Sequence, residues 1–241
     1  MTQDEVGWRD GDVVARRSER LGVLTLGSRP LPDPDPDAVL DALLDGLVET
    51  GLEVCSWDRA TRQLQARVLL LHRHLGPPWP DLSDEALLER VREVFGPFLL
   101  RARRRTDLEA LDLTTVLRSQ LPPGHERELE RLAPTHLEVP SGTRVALDYG
   151  EGERPVLAVR VQEVMGASHT PTVLDGRLPV LLHLLSPARR PVQVTDDLDG
   201  FWEGAYPQVR AELRGRYPKH DWPEDPRRSQ PTHRPRPKRR G

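Results

Sequence analysis

At Pro134 the hydrophobic period of this chain changes, and that change limits what it can fold into. Upstream, Val39, Leu40, Leu43, Leu44, Leu47 and Val48 recur at helical spacing, and Gly51 is placed to end the helix. A second apolar face, Leu64, Val68, Leu71 and Leu75, comes after Asp58, and a third carries Leu87, Leu88, Val91 and Phe95. These patterns predict helices over about 37–50, 58–75 and 84–95. Thr106-Asp107-Leu108-Glu109 has the form of a capping box before a short helix. Leu113–Leu121 and His125–Leu132 read as two more, separated by Pro122-Pro123-Gly124. Downstream, Leu137, Val139, Val145 and Leu147 alternate with polar residues, the period of a half-buried strand. Pro155–Val161, Pro179–Leu185 and Val192–Thr195 are further strands, and Asp196–Glu203 and Pro207–Tyr217 are helical, with Pro207 as a first helical residue. The fold class implied is α+β: a small helical domain, then a mixed sheet-and-helix domain.

The two ends differ from this body. Val13-Val14-Ala15 and Gly22–Leu26 read as two short strands flanking the charged Arg16-Arg17-Ser18-Glu19-Arg20. Two strands alone make too little sheet to be stable in water. Pro30–Pro36 is a stiff linker. Residues 227–241 carry seven cations and no acid, which leaves residues 1–226 at −10 in a chain of net charge −3. That tail, poor in apolar residues, is expected to be disordered. An acidic body argues against a nucleic-acid surface spread over the whole fold and allows a local one.

Several chemistries are excluded at this level. A phosphate-binding loop needs a glycine-rich turn ending in Gly-Lys. The two lysines, Lys219 and Lys238, each come after a proline. Asp84-Glu85-Ala86-Leu87 is a helix start after Ser83, with its acids suited to the helix dipole, rather than a metal-binding acidic box on a strand. Cys55 is the only cysteine, so there is no disulfide framework and no cysteine zinc site, and a reducing cytoplasm is the expected setting. No Gly-x-Ser-x-Gly elbow occurs; Ser141 and Ser186 are turn residues. His72, His74, His136, His169, His183 and His220 are scattered, so no metal site is expected. Neither a secretory signal nor a membrane-spanning run is visible.

The candidate binding residues are therefore cationic. Arg189-Arg190 lies between Pro187 and Pro191, where two guanidinium groups on a stiff loop suit phosphate. Arg101, Arg103, Arg104 and Arg105 form a denser cluster before a helix. Arg234, Arg236, Lys238, Arg239 and Arg240 concentrate the charge of the tail, which suits phosphate contact without base preference. Tyr217–Pro223 reads as a strap whose rings pack on the body, with base stacking on Trp222 as the alternative.

Two blocks carry a family resemblance. One is Leu132-Ala133-Pro134-Thr135-His136-Leu137-Glu138-Val139-Pro140-Ser141-Gly142. The other runs from Leu185-Ser186-Pro187-Ala188-Arg189-Arg190-Pro191 through Phe201-Trp202 to Arg216-Tyr217-Pro218-Lys219-His220-Asp221-Trp222-Pro223-Glu224-Asp225-Pro226. Together they resemble the C-terminal region of the HrpB family, bacterial ATP-dependent helicases of the DEAH/RHA type. The resemblance implies four parts: a residual edge of an oligonucleotide-binding-type barrel over 1–29, a helical domain over 30–133, the family's C-terminal domain over 134–226 and the tail over 227–241. It also implies a role beside an ATPase that unwinds RNA or DNA. ATP and magnesium would be bound by motor domains that this chain lacks, so no cofactor and no catalysis are expected of it alone. The expected partners are a helicase motor polypeptide and RNA or DNA. The alternative is a freestanding module that binds protein or RNA.

Overall fold

A computed structural model of the chain describes residues 2–21, 24–150 and 152–232. Contacts divide it into two units, one ending at Pro123 and the other beginning at Gly124.

The first unit opens with a three-stranded antiparallel sheet in the order β1 (Thr2–Arg9), β2 (Asp12–Leu21), β3 (Leu24–Pro30). Asp10-Gly11 forms the β1–β2 turn, with φ of 53° and 79°. Two left-handed residues in a two-residue loop match the twist of the flanking strands. The charged run Arg16–Arg20 is not a connector, as its composition suggested, but the interior of β2. Two of its arginines pair across the sheet: Arg17 is bidentate to Asp4 at 2.6 and 2.7 Å, and Arg20 reaches Glu5 at 2.8 Å. Trp8 is buried against the first helix.

That helix, α1 (Pro36–Thr50), is capped by Asp35, starts on proline and stops at Gly51, whose φ is 73°. It packs on β1 and β2. α2 (Arg59–Leu75) starts at Asp58, whose carboxylate accepts the Thr61 N–H at 2.7 Å. The helix expected over 84–95 is two: α3 (Asp84–Glu89), capped by Ser83, and α4 (Val91–Leu99), separated at Arg90. Nothing in the local sequence explains the break. α5 (Arg105–Glu109) and α6 (Leu113–Ser119) complete the unit, in which α1 packs on α4 and α2 on α6. The start of α5 differs from the expected Thr106 box. Asp107 accepts the N–H groups of Arg103 and Arg104 at 2.7 and 3.1 Å, and Asp12 accepts that of Arg105 at 2.6 Å. Leu43, Leu47, Leu71, Leu87, Phe95, Leu108 and Leu117 fill the core.

The second unit begins with α7 (Glu126–Leu132). The period change at Pro134 and the contact division after Pro123 differ by this helix, which the Leu174 N–H ties to the rest by donating to the Leu132 carbonyl at 2.8 Å. Five strands form one sheet: β4 (His136–Glu138), β5 (Arg144–Asp148), β6 (Val156–Arg160), β9 (Leu181–Leu185) and β10 (Pro191–Thr195), in the order β10-β9-β6-β5-β4. Every pairing is antiparallel except β6–β9. Between those two strands lies a small ribbon, β7 (Thr172–Val173) with β8 (Leu178–Pro179). α8 (Leu198–Glu203) is capped by Asp197, and α9 (Tyr206–Arg216) carries Pro207 in its first turn. Phe201, Trp202 and Tyr206 pack ring against ring, Trp202 edge-on to Tyr206 at 5.1 Å.

The segment after α9 folds back as a strap. Trp222 is buried, and its indole N–H donates to the Tyr217 carbonyl at 3.0 Å, so it packs rather than offering a face to a base. Tyr206 Oη donates to the Pro223 carbonyl at 2.9 Å and Arg210 Nε to that of Trp222 at 2.8 Å. The expectation of disorder from residue 227 needs correction over 227–232. Arg227 bridges Asp199 and Glu203 at 2.7 and 3.0 Å, and the Thr232 N–H donates to the Gln162 carbonyl at 3.0 Å. A sum of tail charges hides this, because the acids that hold Arg227 lie on α8. The remainder of the tail, with Arg234, Arg236, Lys238, Arg239 and Arg240, lies outside the described residues.

Candidate nucleic-acid interface

Arg189 and Arg190 stand on the turn that joins β9 to β10, and both are exposed. Backbone bonds and one side chain close the turn. The Arg189 N–H donates to the Ser186 carbonyl at 2.8 Å, the Ser186 N–H to the Arg190 carbonyl at 2.8 Å, and the Arg190 N–H to Ser186 Oγ at 3.1 Å. Further along, β10 bulges between Pro191 and Gln193. Neither guanidinium has a carboxylate within 4.0 Å among the described residues.

The Arg101–Arg105 cluster separates into individual roles. Arg105 pairs with Glu109 at 2.8 Å, and Arg103 turns back onto the Ala102 carbonyl at 2.8 Å. Arg101 and Arg104 are exposed and carry no ion pair among the described residues. Arg101 borders an open groove of about 410 Å³ whose floor includes Phe98, Leu99, Ala102 and Leu111. Asp107 and Asp112 also line it. Asp107 is held by the backbone amides of Arg103 and Arg104, and Asp112 by the Thr115 N–H and hydroxyl at 3.1 and 2.6 Å. This cluster belongs to the first unit and the Arg189-Arg190 turn to the second.

Several of the other side chains singled out by type have local structural roles. His72 Nδ1 bonds the Trp79 carbonyl at 2.9 Å. Ser141 Oγ bonds Thr143 in its turn. Burial pushes the Cys55 thiol up to about 11, so it is an inert core residue. Among the described residues no group of three or more His, Cys, Asp or Glu side chains could hold a metal, and no helix is long and apolar enough to cross a membrane. Sequence reasoning missed that the strap returns to the Arg189-Arg190 turn: Tyr217 Oη lies 3.5 Å from Ser186 Oγ. Nothing in the local pattern around either residue announces that meeting, since 31 positions separate them.

Comparison with known proteins bears on what this arrangement belongs to. A family model described as "ATP-dependent helicase C-terminal", HrpB_C, matches residues 94–226. The chain belongs to the HrpB family. It is 40% identical over 234 residues to the ATP-dependent RNA helicase HrpB of Escherichia coli strain K12, a match that covers 96% of this chain and 29% of that protein. Two crystal structures of E. coli HrpB, described as a DExH-box NTPase and as a DEAH/RHA helicase, superpose with TM-scores of 0.81 and 0.69 at 40% and 38% identity. They cover 97% and 92% of this chain, which spans 29% and 28% of theirs. The α+β architecture is thus that of an HrpB C-terminal region. The chain spans under a third of the length of the relatives it matches.

Proposed function

We propose that this chain acts as the accessory C-terminal region of an HrpB-type helicase. In this reading it hydrolyses nothing itself and helps to hold RNA or DNA beside a motor that binds ATP and magnesium. The observation that carries the reading is the 40% identity to an RNA helicase across nearly the whole chain. Three features support it. Arg101, Arg104, Arg189 and Arg190 are exposed cations available to phosphates without first breaking an ion pair. Arg234, Arg236, Lys238, Arg239 and Arg240 extend that charge along the chain. Leu21, Leu24 and Leu26, each about two-thirds exposed on the β2–β3 hairpin, favour a sheet that is the edge of a larger oligonucleotide-binding-type barrel. The setting is a bacterial cytoplasm, and the partners are the motor polypeptide and a nucleic-acid strand.

Co-purification from source cells tests this reading. A helicase motor that elutes with the chain, and whose RNA- or DNA-stimulated ATP turnover falls when the chain is stripped away, supports it. A chain that elutes alone, and leaves the turnover of an added motor unchanged, sinks it. The second reading, a freestanding module that binds RNA or protein, would then stand on the exposed arginines alone.

A further inference from the structure

The junction of β6 and β9 gathers more chemistry than its topology requires. The two strands run parallel with Arg160 opposite Leu185, so both lead the chain out at one end of the sheet. The carboxyl ends of parallel strands are where open sheets hold ligands, because the chain diverges there and leaves a crevice. β6 brings Arg160 to this end and β9 brings the turn Ser186–Arg190. The end of α9 brings Tyr217, against Ser186 Oγ, and then His220, whose ring stands edge-on to that of Tyr217 at 6.4 Å.

The turn itself is strained. Arg189 sits at φ 59°, a position that such hairpins normally give to glycine or asparagine. A side chain with a Cβ is disfavoured there, yet the residue present is an exposed arginine next to a second. Ser186, 3% exposed, commits its hydroxyl to fixing the turn. No hydrogen bond engages either ring nitrogen of His220 among the described residues. Two acids lie at this end. Glu163, 7% exposed, accepts the Arg160 N–H through Oε2 at 3.3 Å, and Asp221 and Arg160 are each already engaged. The exposed Arg189, Arg190 and Lys219 outnumber the two acids.

We propose that this end of the sheet binds a phosphate of a nucleic-acid strand. Arg189 and Arg190 contact the oxyanion, His220 donates a ring N–H to it, Arg160 supplies fixed positive charge, and Ser186 and Tyr217 position the turn. Donors that arrive from three separate segments suit a tetrahedral anion, whose oxygens point several ways, better than a planar carboxylate. The proposal rests on the reading that the chain contacts nucleic acid, and names the place where it does so. In the free protein, burial and then Arg160 hold the His220 imidazole below its ordinary value, with Glu163 and Asp221 as the acids nearby and Tyr217 and Trp222 as its ring neighbours. A bound phosphate would pull it back up.

The test uses the full chain, a short fluorescein-labelled single-stranded RNA and its DNA counterpart. The double variant Arg189→Gln/Arg190→Gln and the single variant His220→Gln are compared with Arg101→Gln/Arg104→Gln, with circular dichroism confirming that each is folded. The first should bind about tenfold more weakly or worse, with a salt slope reduced by about 0.7 for each arginine lost. RNA should also raise the pKa of the His220 imidazole, followed by NMR. RNA binding that is unaffected by these substitutions, with a still His220 resonance, overturns the site and leaves the broader reading standing. No binding of RNA or DNA at low salt overturns both. A His220 response to inorganic phosphate and none to RNA overturns the proposal in favour of a free-anion site. Tight binding of a Glu-rich peptide that RNA cannot displace does so in favour of a protein partner.

Discussion

The indole of Trp8 lies directly on Gly46: a Cβ added to Gly46 would stand 2.4 Å from Trp8 Cδ2. The glycine in the middle of α1 therefore answers to the strand that precedes it, not to any need of the helix. Gly46→Ala should destabilise the first unit by about 1–3 kcal/mol, because neither a buried ring nor a helix backbone can easily yield. The gain in helix propensity, about 1 kcal/mol, runs the other way and is the smaller effect. Trp8 Nε1 is buried with no hydrogen-bond partner among the described residues. Trp8→Phe should accordingly cost far less than Trp8→Ala, for which about 3–5 kcal/mol is expected. Urea unfolding of the three variants checks the order; equal losses for Phe and Ala would refute it.

Tyr206 should ionise well above the ordinary tyrosine range. Burial pushes it up to about 12 from an ordinary value of 10.0. The unfolded chain would ionise first, so this group's contribution is complete below pH 10 and falls away as pH rises towards 12. Difference absorbance during a base titration should show a tyrosine step near 12. Tyr206→Phe removes that step and, by losing the bond to Pro223, should cost about 1 kcal/mol.

At the acid end, Asp58 and Asp112 cap α2 and α6. The Thr61 backbone N–H, for Asp58, and the Thr115 hydroxyl, for Asp112, hold these carboxylates below their ordinary 3.8. Their stabilisation is present above pH 3.8 and is lost as pH falls through the lower folded values. The double variant Asp58→Asn/Asp112→Asn should therefore flatten the acid limb of helical unfolding followed by circular dichroism. An unchanged limb would assign acid sensitivity to other carboxylates.

The isolated chain should neither bind nor turn over ATP, because neither lysine can complete a glycine–lysine phosphate loop. Equilibrium dialysis with ATP and magnesium, and a phosphate-release assay against a mock preparation, measure this. Saturable binding at micromolar levels would contradict it.

Deletion after Thr232 removes five cations and leaves Arg227 in its bridge to Asp199 and Glu203. The truncated chain should unfold at the same urea concentration as the full one. On single-stranded nucleic acid its salt slope should be shallower by about 0.7 for each phosphate contact the tail had made. An identical slope would move all non-specific affinity to the folded body.

Most helices were legible because each combines an apolar stripe with punctuation: Asp35 and Gly51 around α1, Asp58 and Gly76 around α2. The N-terminal sheet was read less well. Its β2 carries arginines where an amphipathic strand would show apolar alternation, and their partners, Asp4 and Glu5, lie on another strand. The signal that was available there, Asp10-Gly11 as a hairpin turn, is two residues long and easily overlooked. Arg189 and Arg190 were visible as a proline-framed pair. Their association with Arg160, Tyr217 and His220 was not, because it depends on a parallel pairing and a returning strap. Residue type reports which cations a chain has; only the fold reports which carboxylates have already claimed them, as with Arg17, Arg105 and Arg227.

The parallel join between β6 and β9 also dictates an order of assembly. β5 with β6, and β9 with β10, are neighbours along the chain and can zip up early as local hairpins. Joining them requires residues 161–180 to be looped out and held, an entropic penalty that arrives before any cross-strand bond can offset it. The sheet of the second unit is therefore expected to close late, at that seam. Arg160 and the Ser186–Arg190 turn sit on its opposite sides, so the two are brought together only with that final closure.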